Sequence, residues 1–135
     1  MVGYEIAKKY KGLHEVRDNR TLRKILTVDP ADTAWCADFV NFCEHEVGHP
    51  GTGRLLARSF LKYGKPIELK NAKKGDIIIL ARGGSAWQGH VAYLDGIEQV
   101  DGKTLIRTLG GNQSNSVSIS WYPIERLLGI RRYEQ

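Results

Sequence analysis

An α+β fold, with helices leading and an antiparallel sheet following, is what this 135-residue chain predicts. Three observations predict it. Up to Gly64, apolar residues recur at helical spacing between turn and stop residues. After Lys74-Gly75-Asp76 the pattern changes to short apolar or alternating runs. Asp101-Gly102, a hairpin turn pair, lies between two of those runs and makes them antiparallel neighbours.

The elements follow in order. Residues 4–10 read as a short helix and residues 20–26 as a second. Asp29-Pro30-Ala31-Asp32-Thr33 supplies turn and N-cap residues for a third helix, from about residue 34 to 47. Gly48 and Pro50-Gly51 stop it. Residues 55–63 read as a fourth helix, closed by Gly64. Ile77-Ile78-Ile79-Leu80 is a buried strand, and residues 90–94, 104–109 and 117–121 give three more. Residues 129–133 are expected to add a last strand at the sheet edge.

Composition narrows the class. Hydrophobic content of 41% and charged content of 26% are those of a globular protein, and the length suits one domain, 1–135. No apolar run reaches the roughly 18 residues of a membrane span. The opening Met1-Val2-Gly3-Tyr4-Glu5 lacks the basic head and apolar stretch of a secretory signal, so synthesis in the cytoplasm is expected. Net charge is +5, with small basic clusters at Lys8-Lys9-Lys11, Lys70-Lys73-Lys74 and Arg131-Arg132. Scattered lysines usually form a solvated surface; the alternative is attraction to a polyanion such as the bacterial envelope. No nucleic-acid-binding motif accompanies them. Cys36 and Cys43 are seven residues apart, about 10 Å along a helix. That exceeds disulfide reach, so two free thiols are expected.

The chemistry-bearing residues are Cys36, His90 and Asn112. Cys36, Val40, Cys43 and Val47 fall on one helical stripe, with Phe39 beside it. Cys36 heads that stripe in the first turn, where free N–H groups favour an anion and lower a thiol pKa. Gly89-His90-Val91 opens a strand, and Gly110-Gly111-Asn112-Gln113 ends the next. Singly, each residue has a bland reading: a buried cysteine, a surface histidine, a turn asparagine. Together they read as a nucleophile, its base and the group that orients the base.

His45-Glu46-Val47-Gly48-His49 also matches the zinc-binding H-E-x-x-H pattern. Its histidines project about 180° and 220° from Cys36, Gly48 interrupts the helix within the motif, and no third ligand is well spaced. Zinc hydrolysis ranks second, with no metal expected.

The segment Thr33-Ala34-Trp35-Cys36-Ala37-Asp38-Phe39-Val40-Asn41-Phe42 resembles the nucleophile helix of CHAP-type hydrolases, the cysteine, histidine-dependent amidohydrolases/peptidases related to NlpC-type and papain-like enzymes. The blocks Gly51-Thr52-Gly53, Gly89-His90-Val91, Gly110-Gly111-Asn112-Gln113 and Leu127-Leu128-Gly129-Ile130-Arg131 extend the similarity over nearly the whole chain, closest to small single-domain bacteriophage lysins. The resemblance implies a papain-like fold whose N-terminal helices pack on an antiparallel sheet. It implies cleavage of an amide in peptidoglycan, as an endopeptidase or an N-acetylmuramoyl-L-alanine amidase, acting at the cell wall. It maps the nucleophile onto Cys36 and the base onto His90. Many relatives orient the histidine with a carboxylate; Asn112 stands where that partner is expected, with Gln113 and Glu98 as the other choices. Trp35, Asp38, Trp87 and Gln113 are the expected substrate contacts. The expected partner is peptidoglycan, met by a monomer, with no cofactor, nucleic acid or membrane insertion. A non-catalytic papain-fold binding module is the remaining alternative.

Overall fold

The computed structural model describes residues 2–134; Met1 and Gln135, the ends of the expected domain, lie outside the described residues. Three α-helices come first: α1 (Gly3–Lys9), α2 (Asn19–Arg23) and α3 (Cys36–Glu46). Six strands follow: β1 (Lys65–Pro66), β2 (Ile77–Ala81), β3 (Gly89–Val100), β4 (Lys103–Gln113), β5 (Ser116–Pro123) and β6 (Leu127–Arg132). They form one antiparallel sheet in the order β1-β6-β2-β3-β4-β5. No helix among the described residues is long and apolar enough to cross a membrane.

The expected α+β layout is present, with three differences. The segment expected as a helix over 55–63 is a 3-10 helix, Ala57–Lys62. The last strand is interior: β6 lies between β1 and β2, and Pro66 of β1 takes the edge, where a missing N–H costs no ladder bond. Asp29 to Thr33 do not cap α3; Trp35 occupies its N-cap with no side-chain cap bond, so Cys36 is the first helical residue.

β2 explains its own composition. It sits between β3 and β6 with both faces covered, so Ile77-Ile78-Ile79-Leu80 shows no polar alternation. Ile77 and Ile79 face the main core with Trp35, Phe39, Val40, Cys43 and Phe60. Ile78 and Leu80 face a second cluster with Leu94, Ile106 and Ile130. The predicted stripe of α3 is the packed one: Phe39, Val40 and Cys43 are fully buried. Burying the Phe39 ring contributes roughly 3 kcal/mol. Cys36 and Cys43 are both free thiols.

One hairpin closes the far end of β3 and β4, and a second hairpin with a bulge sets the end that carries His90 and Gln113. Asp101 and Gly102 both have positive φ and close the β3–β4 hairpin, as their identity predicts. Ser114 and Asn115, also at positive φ, close β4–β5. Between Gly110 and Gln113 the β4–β5 register shifts by one residue, and Asn112 lies there at φ 59°. This is a β-bulge, which re-aims the side chains that follow it.

Candidate active site

The position of Cys36 follows from how α3 meets this bulge. A side chain on Gly111 would lie 2.7 Å from the Trp35 ring and 3.0 Å from Phe39, so only glycine lets the start of α3 approach β4. Ladder pairing between β3 and β4 runs no further than Tyr93–Leu109. Beyond it, Val91 is unpaired with β4, and its N–H lies near enough to the Cys36 thiol to influence its ionisation, as do the N–H groups of Ala37 and Cys36 itself. All three favour the thiolate, as expected for a first-turn cysteine. Burial opposes them and is the larger effect, so the thiol pKa is raised rather than lowered. That corrects the expectation of an acidified thiol: Cys36 is only 5% exposed, and desolvation outweighs the helix end.

His90 opens β3 beside Val91 and is fully buried. Its Nε2 lies 2.8 Å from Gln113 Oε1. The Gln113 amide is fixed by its other end, since Nε2 donates to Ser118 O at 2.6 Å and to Thr108 O at 3.4 Å. Oε1 is therefore an acceptor, and His90 must donate to it. The same oxygen lies 2.8 Å from Thr108 Oγ1 and 3.3 Å from the Tyr122 hydroxyl. The Tyr122 ring also packs on the imidazole, centroids 5.4 Å apart. With Nε2 protonated, Nδ1 carries the lone pair, and it is the one ring atom without a hydrogen-bond partner. Burial pushes the His90 pKa down to about 4, against the Gln113 contact that raises it, and Arg82 and Arg126 push the same way as burial. The imidazole is neutral at pH 7.

The side chain bonded to the His90 ring is thus Gln113, not Asn112. Asn112 sits in the left-handed bulge, and its contribution is the backbone turn that delivers Gln113 to the ring. Glu98 is elsewhere: it pairs with Arg107 and accepts from Trp121 Nε1 at 2.9 Å. Three further corrections concern the expected substrate contacts. Gln113 is 2% exposed and is committed to His90. Trp35 is fully buried, edge-on to Phe39, with its Nε1 on Glu15 at 3.1 Å. Asp38 is buried and accepts from Thr27 N, Thr27 Oγ1 and Val28 N at 2.7, 2.8 and 3.3 Å, which ties the preceding loop to α3. Of that set, only Trp87 is at a surface beside the thiol. It is 64% exposed and lines a groove with Cys36, Leu55, Leu56 and Arg82.

The zinc-motif residues do not converge. His45 Nε2 is 2.8 Å from Pro50 O, and His49 Nδ1 is 3.0 Å from Glu44 Oε1, beyond the end of α3. Glu44 is also held by the Tyr63 and Tyr93 hydroxyls at 2.8 and 2.7 Å. Both histidines are therefore side-chain caps and braces of the helix end.

A profile of the CHAP domain matches residues 28–112, more than half of the chain. The chain belongs to the CHAP family. CHAP domains are generally cysteine- and histidine-dependent hydrolases, amidases or peptidases of peptidoglycan, and the matched span contains both Cys36 and His90. No curated protein matches the chain. Among solved structures, it is similar to the P60 domain of an antigen from M. avium subspecies paratuberculosis, with a TM-score of 0.44 and 20% identity. That alignment covers 74% of this chain and 65% of the other.

Sequence reasoning missed Thr108, Tyr122, Arg82 and Arg126 around this CHAP site. The usable signal was Gly110-Gly111-Asn112 inside a strand pattern. Such a run marks a bulge, and a bulge shifts by one residue which side chain faces the site.

Proposed function

We propose that this CHAP domain is a peptidoglycan amidase or endopeptidase, of the bacteriophage lysin type, working through Cys36, His90 and Gln113. The observation that carries it is the fixed imidazole: Gln113 holds the Nε2 proton, leaving the Nδ1 lone pair free on β3, the strand against which α3 packs. A neutral thiol and a neutral imidazole then react together. The sulfur attacks the amide carbonyl as its proton passes to Nδ1. The C–N bond breaks, Nδ1 returns that proton to the leaving amine, and a thioester remains on Cys36. Water attacks the thioester while Nδ1 takes its proton; the carboxylic acid leaves, and the thiol is restored. The Cys36 backbone N–H, which has no intrahelical acceptor in the first turn of α3 and lies against the sulfur, is the oxyanion donor. Trp87 walls the groove. The basic surface attracts the anionic wall, and a cytoplasmic product reaches it when the host membrane is breached.

The test is mass spectrometry of muropeptides after digestion of purified peptidoglycan. New amine termini with no new reducing sugar ends are expected, because a Cys-His pair performs acyl transfer and glycan cleavage needs two carboxylates. Thiol alkylation should abolish the cleavage. Reducing ends alone, or activity lost on chelation and restored by zinc, would contradict the proposal.

A further inference from the structure

We infer that Arg82 reads a free carboxylate beside the scissile amide, so that the enzyme cuts stem peptides whose acid groups are uncapped in preference to their carboxamides. This rests on the hydrolase reading and specifies its substrate.

Three arginines approach the site. Arg58 is committed to backbone, donating to Gln88 O at 2.6 Å and Ser85 O at 3.2 Å, which holds the 82–88 loop. Arg126 donates to Ala81 O at 2.9 Å and lies 5.0 Å over the Tyr122 ring. Arg82 has neither a hydrogen bond nor an ion pair among the described residues. It is exposed, it lines the same groove as Cys36, and no carboxylate lines that groove with it. An unpaired guanidinium beside a nucleophile, walled by Leu55, Leu56 and Trp87, offers a planar donor fork of the shape a carboxylate fills. Stem peptides bear carboxylates next to their backbone amides, and these occur both free and as carboxamides. The groove therefore supplies the cation and the substrate supplies the anion.

Two small alkylating agents isolate this recognition from hydrolysis. Iodoacetate and iodoacetamide share a leaving group and differ only in carboxylate against carboxamide. Their rates with Cys36 are measured by mass spectrometry and normalised to 2-mercaptoethanol. The expected ratio for the wild-type protein favours iodoacetate by about tenfold over the free thiol. Arg82→Gln should return the ratio to that of 2-mercaptoethanol, and Arg82→Lys should keep part of it. A second assay compares digestion of peptidoglycan with free or amidated stem carboxylates; the preference for the free acid should vanish in Arg82→Gln mainly through KM. A wild-type ratio equal to that of the free thiol, or one unchanged by Arg82→Gln, overturns the inference. If the alkylation ratio follows Arg82 but no wall is cleaved, the hydrolase reading fails and the carboxylate site stands. If wall is cleaved with no response to Arg82 in either assay, the site fails and the hydrolase reading stands.

Discussion

Replacing Gln113 separates the orienting role from the bulge that delivers it. In Gln113→Ala, the fully buried His90 loses the acceptor of its Nε2–H. Thr108 Oγ1 keeps a second acceptor, Ser120 O at 3.1 Å, and Tyr122 is partly exposed, so these two lose less. One orphaned buried donor costs about 1–3 kcal/mol, and the small cavity adds to it, so a total near 3 kcal/mol is expected. Activity should fall about a hundredfold, because the ring no longer holds one tautomer with Nδ1 free. Gln113→Glu keeps an acceptor and adds a charge. It should raise the His90 pKa from about 4 by more than about one unit and carry the acid limb of the rate profile upward with it. Urea unfolding at pH 7 and the pH dependence of wall hydrolysis measure both effects. The reasoning is refuted if Gln113→Ala matches the wild type in both assays, or if Asn112→Ala causes the larger loss of rate.

Stability should also depend on His90 titration. Its folded-state pKa near 4 lies under the ordinary 6.5, so the unfolded chain binds the extra proton first. Stability is therefore full above pH 6.5 and falls as pH drops towards 4, by about 3 kcal/mol, in a window above the titration of Asp18, Asp29 and Asp95, whose pKa values are lowered. Urea midpoints that stay flat from pH 7 to 4.5 would contradict this. Asp38→Ala should cost about 2–4 kcal/mol by orphaning the Thr27 and Val28 donors, with KM unchanged; a normal unfolding midpoint with raised KM would restore the substrate role. Gly111→Ala places a methyl 2.7 Å from Trp35, so about 1–3 kcal/mol of stability should be lost, and turnover should fall as α3 is displaced from β3; an unchanged unfolding midpoint and turnover number would argue against that packing.

The parts of the fold that depend on local pattern were legible in the sequence. The α3 stripe, the doubly buried Ile77-Ile78-Ile79-Leu80 strand and the Asp101-Gly102 hairpin each carry their own signal. The position of β6 was not, because a crossover past three strands to pair with β2 leaves no mark in its own residues. Within the site, Cys36 and His90 could be singled out because each opens an element. The partner of His90 could not be assigned by counting along β4. One extra residue in the bulge moves the inward side chain from Asn112 to Gln113. Trp35 and Asp38 flank Cys36 in sequence without facing a substrate: packing uses one to fill the core and the other to fasten a loop.

The most direct measurement compares Cys36→Ala with Cys43→Ala for release of amine termini from peptidoglycan, with urea unfolding alongside. Cys36→Ala should abolish release in a folded protein. Cys43→Ala, a fully buried packing change costing about 1 kcal/mol or more, should retain it. Release that survives loss of Cys36, or that is lost with Cys43 alone in a folded protein, would contradict the assignment of Cys36 as the nucleophile.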